Sequence, residues 1–154
     1  MNEVFRKLQV GDHEPVWILR SPPEFQPHLD EIAETTRIVN RDAGKRRFGF
    51  ALVFVKRCSE IADLAPRVVD RLENDGLLWF AYPKKSSSRY SADIGRDDSW
   101  QPLGDLGYEG VRQIAIDEDW SALRFRHVDH IKTLRRDPSR AMSRKGKRRL
   151  NTSK

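Results

Sequence analysis

A chain of 154 residues with 38% apolar and 34% charged residues can bury one substantial core and not two. Its longest near-continuous apolar run, Phe48 to Val55, is far short of the roughly 20 residues a membrane-spanning helix needs. The single cysteine, Cys58, excludes an intramolecular disulfide and a CxxC metal or redox site. Glu3, Arg6 and Lys7 interrupt any apolar leader, so a cytoplasmic location and no membrane partner are expected. The net charge of +6 is unevenly spread, because nine of the 29 basic residues fall in 135–154 beside one acid, Asp137. One domain over 1–134 and a basic, extended tail over 135–154 are expected.

In chain order, Val4, Phe5 and Leu8 have the spacing of a short amphipathic turn closed by Gly11, expected to lie as a lid on a sheet edge. Pro15 to Arg20 reads as a first strand, Ser21 to Phe25 as a loop, and Pro27 as the first-turn proline of a helix running to about Glu34. Thr36 to Val39 is a short β-branched strand, followed by the polar loop Asn40 to Arg47. Phe48 to Lys56 is apolar at successive positions, as in a strand buried on both faces. Ser59 is placed to cap a helix with Ile61, Leu64, Ala65, Val68, Val69 and Leu72 at helical spacing, kinked or restarted at Pro66. Asn74-Asp75-Gly76 reads as its stop, with Gly76 in the left-handed conformation of a C-cap.

Leu77 to Tyr82 is the next central strand, ended by Pro83, and Ser86 to Asp98 forms the longest loop of the domain. Ser99 to Leu103 opens a short helix that Gly104 weakens and Gly107 ends. Val111 to Ile116 and Trp120 to Val128 make a hairpin across the acidic turn Asp117-Glu118-Asp119. Leu123, Phe125 and His127 fall on one face of its second strand, and Ala122, Arg124, Arg126 and Val128 on the other. Together these elements imply a three-layer α/β fold: a Rossmann-like open twisted sheet, mostly parallel, with a C-terminal antiparallel hairpin. That hairpin is similar to the one in methyltransferase versions of the fold, and the resemblance implies a strand order of 2-1-3-4-6-5.

Open α/β sheets bind ligands beyond the carboxyl ends of their strands, and nucleotide or cofactor binders make the first such loop glycine-rich so that backbone N–H groups can approach the ligand. Here that loop is Arg20-Ser21-Pro22-Pro23-Glu24-Phe25-Gln26-Pro27, without glycine and with three prolines that have no N–H to donate. A conventional dinucleotide or S-adenosylmethionine site is not expected, although Asp42 falls where an acid could grip a ribose, and no cofactor is assigned. The alternative site is the far lip. Lys84 and Lys85 bring ammonium groups, Ser86 and Ser87 bring hydroxyls, and Asp93, Arg96 and Asp97 follow in the loop, a set suited to a small anionic ligand. The competing reading makes Lys84 and Lys85 a solvated edge, pairs Asp93 with Arg96 and gives Asp97 or Asp98 a capping role.

Trp79-Phe80-Ala81-Tyr82-Pro83-Lys84-Lys85-Ser86-Ser87, then Asp93, Arg96-Asp97, Trp100 and Asp117-Glu118-Asp119-Trp120-Ser121-Ala122-Leu123, resembles a family of short bacterial proteins with a domain of unknown function. The resemblance spans about Val10 to Val128, implies the Rossmann-like architecture and supplies no activity.

No nucleophile and base pair stands out, and carboxylate pairs such as Asp97/Asp98 and Asp117/Asp119 fall in turns. His127, Asp129 and His130 match no metal-ligand spacing. Trp17, Trp79, Trp100 and Trp120 read as core and hairpin anchors. In the tail, Arg144, Lys145, Lys147, Arg148 and Arg149 are candidates for weak RNA or DNA contact through phosphates, against a reading of the tail as solubilising only. Three functions follow: a noncatalytic binding module with an anion-binding lip at 84–88 and a nucleic-acid-contacting tail; a diverged methyltransferase-like enzyme lacking the usual glycine-rich loop; or a protein interaction domain using its edge hairpin.

Overall fold

The computed structural model describes residues 2–41, 45–94 and 97–131, apart from the side chains of residues 97 and 98. Asp42, Arg96 and the tail candidates Arg144, Lys145, Lys147, Arg148 and Arg149 lie outside the described residues.

The apolar run becomes the strand β3, Phe48–Phe54, buried at all seven positions. It sits between β1, Val16–Leu19, and β4, Leu72–Pro83, both parallel to it. The strand β2, Ile38–Val39, extends the parallel part beyond β1, while β6, Trp120–His127, and β5, Tyr108–Ala115, add an antiparallel hairpin beside β4. The order β2-β1-β3-β4-β6-β5 is the one the hairpin resemblance implies. A strand covered on both sides cannot alternate apolar and polar residues, which is why β3 and the second half of β4 read as continuous apolar runs.

One layer is α1, Glu3–Lys7, with α2, Gln26–Ile32. Phe5, Leu8, Phe25 and Leu29 cover Phe50, Leu52, Phe54, Trp79 and Trp120 on that face. The other layer is α3, Cys58–Asp70, with the short α4, Gln101–Gly104. There Ile61, Leu64, Val68, Trp100 and Leu103 meet Ala51, Val53, Phe80 and Phe125. All four tryptophans are buried, as core anchors should be. No described helix is long and apolar enough to cross a membrane.

Four local expectations need correction. The first helix does not lie on a sheet edge: Phe5 packs against Phe25 and Phe50, ring centroids 5.7 and 6.4 Å apart, over the middle of the sheet, and the Trp79 indole donates to the Leu8 carbonyl at 2.9 Å. The cap of α3 is Arg57 rather than Ser59, because Glu60 reaches back to accept from the Lys56 and Arg57 N–H groups at 2.8 and 3.0 Å. The helix runs unbroken through Pro66 and ends at Asp70. Finally, 72–76 is strand rather than helix stop. Asp75, at φ 56°, takes the left-handed conformation expected of Gly76, whereas Gly76 is required by space, since a Cβ there would come within 2.9 Å of Leu72 Cγ.

Candidate functional site

The carboxyl ends of β1, β3 and β4 face one rim of the sheet, where open α/β folds bind their ligands. Two loops meet there. The first leaves β1 through Arg20, in the left-handed conformation at φ 61°, and winds through Pro22 and a single 3-10 turn, Pro23–Phe25, into α2. Phe25 is driven inward against Phe54, centroids 4.9 Å apart, which holds the neighbouring Glu24 at the rim.

The second loop, from Lys84 to Ile94, folds back over that rim. Tyr90 donates its hydroxyl to Glu24 Oε2, and the Trp120 indole donates to the same oxygen at 3.0 Å. Arg89 stands 3.8 Å from Glu24 and 3.7 Å from Asp119. Ser87 donates to Asp119 Oδ1 at 2.8 Å while its oxygen accepts from the Arg89 and Tyr90 N–H groups. Lys56 places its ammonium 4.8 Å above the Tyr90 ring. Asp93 then crosses to the start of α3, where its carboxylate accepts from the Cys58 N–H at 2.7 Å. The rim above β1 and β3 is thus closed by the protein's own side chains.

The electrostatics follow that closure. Burial alone would raise the Glu24 pKa, but the hydrogen bonds from Tyr90 and Trp120 outweigh it and hold the carboxyl below the usual range. Burial, and then the bond to Glu24, push the Tyr90 hydroxyl up to about 12. Neither group is poised to exchange a proton near neutrality.

The lip is different. Tyr82, Pro83, Lys84, Lys85 and Ser86 line an open groove of about 500 Å³, completed by Ile94, Gln113 and Ser121. Among the described residues the Lys84 and Lys85 ammonium groups, the Ser86 hydroxyl and the Gln113 amide have no side-chain partner. Burial pushes the Tyr82 hydroxyl up, so it stays a neutral donor on the groove wall.

The structure therefore divides the anion-site candidates. Lys84, Lys85 and Ser86 converge on the groove. Ser87 is tied to Asp119, and Asp93 accepts from the first N–H of α3, while its expected partner Arg96 lies outside the described residues. Asp97 begins a 3-10 turn ending at Trp100. Sequence reasoning missed Glu24, Tyr90, Asp119 and Trp120 as one cluster. The local signal was a lone carboxylate among prolines and a lone tyrosine in a polar loop. His127 accepts from the Asp129 N–H at 3.1 Å, and among the described residues no group of three or more His, Cys, Asp or Glu could hold a metal ion.

No protein-family profile and no curated protein matches the chain in sequence. Among solved structures it is similar to the N-methyltransferase NodS from Bradyrhizobium japonicum WM9, with a TM-score of 0.52 and 13% identity over 81% of this chain and 92% of that one. The same enzyme in complex with S-adenosyl-L-homocysteine gives 0.52 and 14% over 82% and 84%. The chain has a Rossmann-like fold of the methyltransferase type. That likeness raises the question of an S-adenosyl cofactor. The first loop does not fit one in the usual manner: Pro22, Pro23 and Pro27 have no N–H to offer, the Phe25 N–H is spent on the Pro22 carbonyl at 2.9 Å, and Glu24 is locked by Tyr90 and Trp120.

Proposed function

We propose that this chain is a diverged methyltransferase-fold protein that has closed the rim used by cofactor-binding relatives and acts as a binding module for a small anionic ligand at Lys84, Lys85 and Ser86. The observation that carries the reading is the contrast between the Glu24 carboxylate, held by two hydrogen bonds, and the two ammonium groups, without a side-chain partner among the described residues, that line a groove at the end of β4. Ammonium and hydroxyl donors side by side suit a phosphate or carboxylate, with Gln113 and Ser121 also lining the groove. In Lys84→Glu with Lys85→Glu, inorganic phosphate should lose its stabilising effect on thermal unfolding while the unliganded melt is spared. An equal response in both proteins places the site elsewhere.

A second reading, a diverged enzyme that still uses an S-adenosyl cofactor, is favoured by the likeness to NodS, whose complex with S-adenosyl-L-homocysteine shares the fold. It requires the loop over 84–94 to move off Glu24. Calorimetric titration with S-adenosylmethionine separates the two: saturable heat supports the enzyme, and a flat trace removes it. The nine basic residues of 135–154 are proposed as a nucleic-acid arm, so truncation before Arg135 should abolish or weaken salt-sensitive binding of RNA or DNA.

A further inference from the structure

The outer hairpin carries a second cationic feature, on the face of the sheet opposite the lip groove. Arg112 of β5 stands directly across the ladder from Arg124 of β6. Such partners project to the same face, about 5 Å apart at Cβ, and like charges there destabilise a sheet. One step along, Arg126 is satisfied: Asp75 takes it in a bidentate pair at 2.8 and 2.7 Å, and the buried Glu109 lies across the ladder from it. Arg112 and Arg124 lack such a direct partner, although the Asp75 carboxylate acts favourably on Arg124 from a distance. Among the described residues neither forms an ion pair, Arg124 donates to one neutral oxygen, Gln9 Oε1, at 3.1 Å, and its Nε is shut away from solvent with no partner. Burial and then the charge of Arg126 hold the Arg124 guanidinium below its ordinary pKa, with Asp75 partly opposing them and Arg112 adding a smaller push.

Two arginines directly across a ladder on one face of the sheet, one of them short of acceptors, suit an oxyanion bridging them. β5 is the outermost strand, and Val111, Arg112 and Gln113 are exposed, so an extended polyanion can lie along the edge. The chain also continues from this hairpin into the basic segment 135–154.

We propose that Arg112 and Arg124 hold a phosphate of a nucleic-acid backbone, so that the folded domain as well as the tail grips the polymer. This rests on the nucleic-acid reading of the tail. The test is the salt dependence of binding of a short single-stranded DNA by the full-length protein. Arg112→Ala should reduce the slope of log K against log salt by about 0.7, the share of one phosphate contact on a single strand. Arg6→Ala, on an exposed arginine already paired with Glu3, should leave it unchanged. The melting temperature of free Arg112→Ala should be no lower than that of the wild type. An unaltered slope in Arg112→Ala overturns the hairpin contact even if truncation before Arg135 abolishes binding. The converse pattern would discard the tail and keep the hairpin. No binding by the wild type at low salt sinks both.

Discussion

Two clusters at the carboxyl rim turn polar side chains to opposite ends. Around Glu24, a carboxylate, a phenol, an indole and a guanidinium satisfy one another, whereas at Lys84 to Ser86 two ammonium groups and a hydroxyl face an open groove with no side-chain partner among the described residues. Polar residues at a sheet rim are therefore not by themselves a sign of a ligand site. What distinguishes them is whether the protein has already supplied their counterpart.

That contrast can be broken at its closed side. Trp120→Ala removes a buried indole packed edge-on to Phe54, centroids 5.2 Å apart, and should cost about 3–5 kcal/mol in chemical denaturation. Glu24→Ala leaves the Tyr90 hydroxyl and Trp120 indole without their acceptor and should cost about 1–3 kcal/mol. Tyr90→Phe should cost about 1 kcal/mol at neutral pH and also change the alkaline limb of the stability profile. With the Tyr90 pKa raised in the folded state, its contribution is complete below about pH 10 and is lost as the pH rises towards about 12. Glu24, depressed in the folded state, has the reverse dependence: its contribution holds above the unfolded carboxylate pKa and is lost as the pH falls through the folded value. A phenylalanine variant whose alkaline limb matches that of the wild type would show that Tyr90 carries none of it. The smallest effect belongs to the open side. Lys84→Glu with Lys85→Glu should change unliganded stability by no more than about 0.5 kcal/mol, since neither side chain has a partner to lose among the described residues.

Much of the frame was legible because it rests on local pattern. Phe48 to Phe54 is apolar at six of seven positions, and only a strand covered on both faces suits that. The start of β4 was not legible. Asn74-Asp75-Gly76 has the composition of a turn, yet Leu72 still pairs with Phe48, the register slips before Phe50, and Asp75 absorbs the irregularity in the left-handed region, where a short polar side chain is tolerated. The position of α1 was hidden for another reason. The spacing of Val4, Phe5 and Leu8 reveals an apolar face but not which part of the sheet it meets. At the rim, Lys84, Lys85 and Ser86 could be read because they are contiguous. The role of Glu24 could not, because its partners lie 66 and 96 residues away and no single stretch contains the cluster.

Those long separations also bear on kinetics. The bond from Tyr90 to Glu24 closes a span of 66 residues and that from Trp120 one of 96, so neither forms until the entropy of a large loop has been lost. A cluster assembled that late is largely unformed in the folding transition state, so weakening it should accelerate unfolding and leave the folding rate nearly unchanged. The closed rim would then act as a latch on the lifetime of the native state.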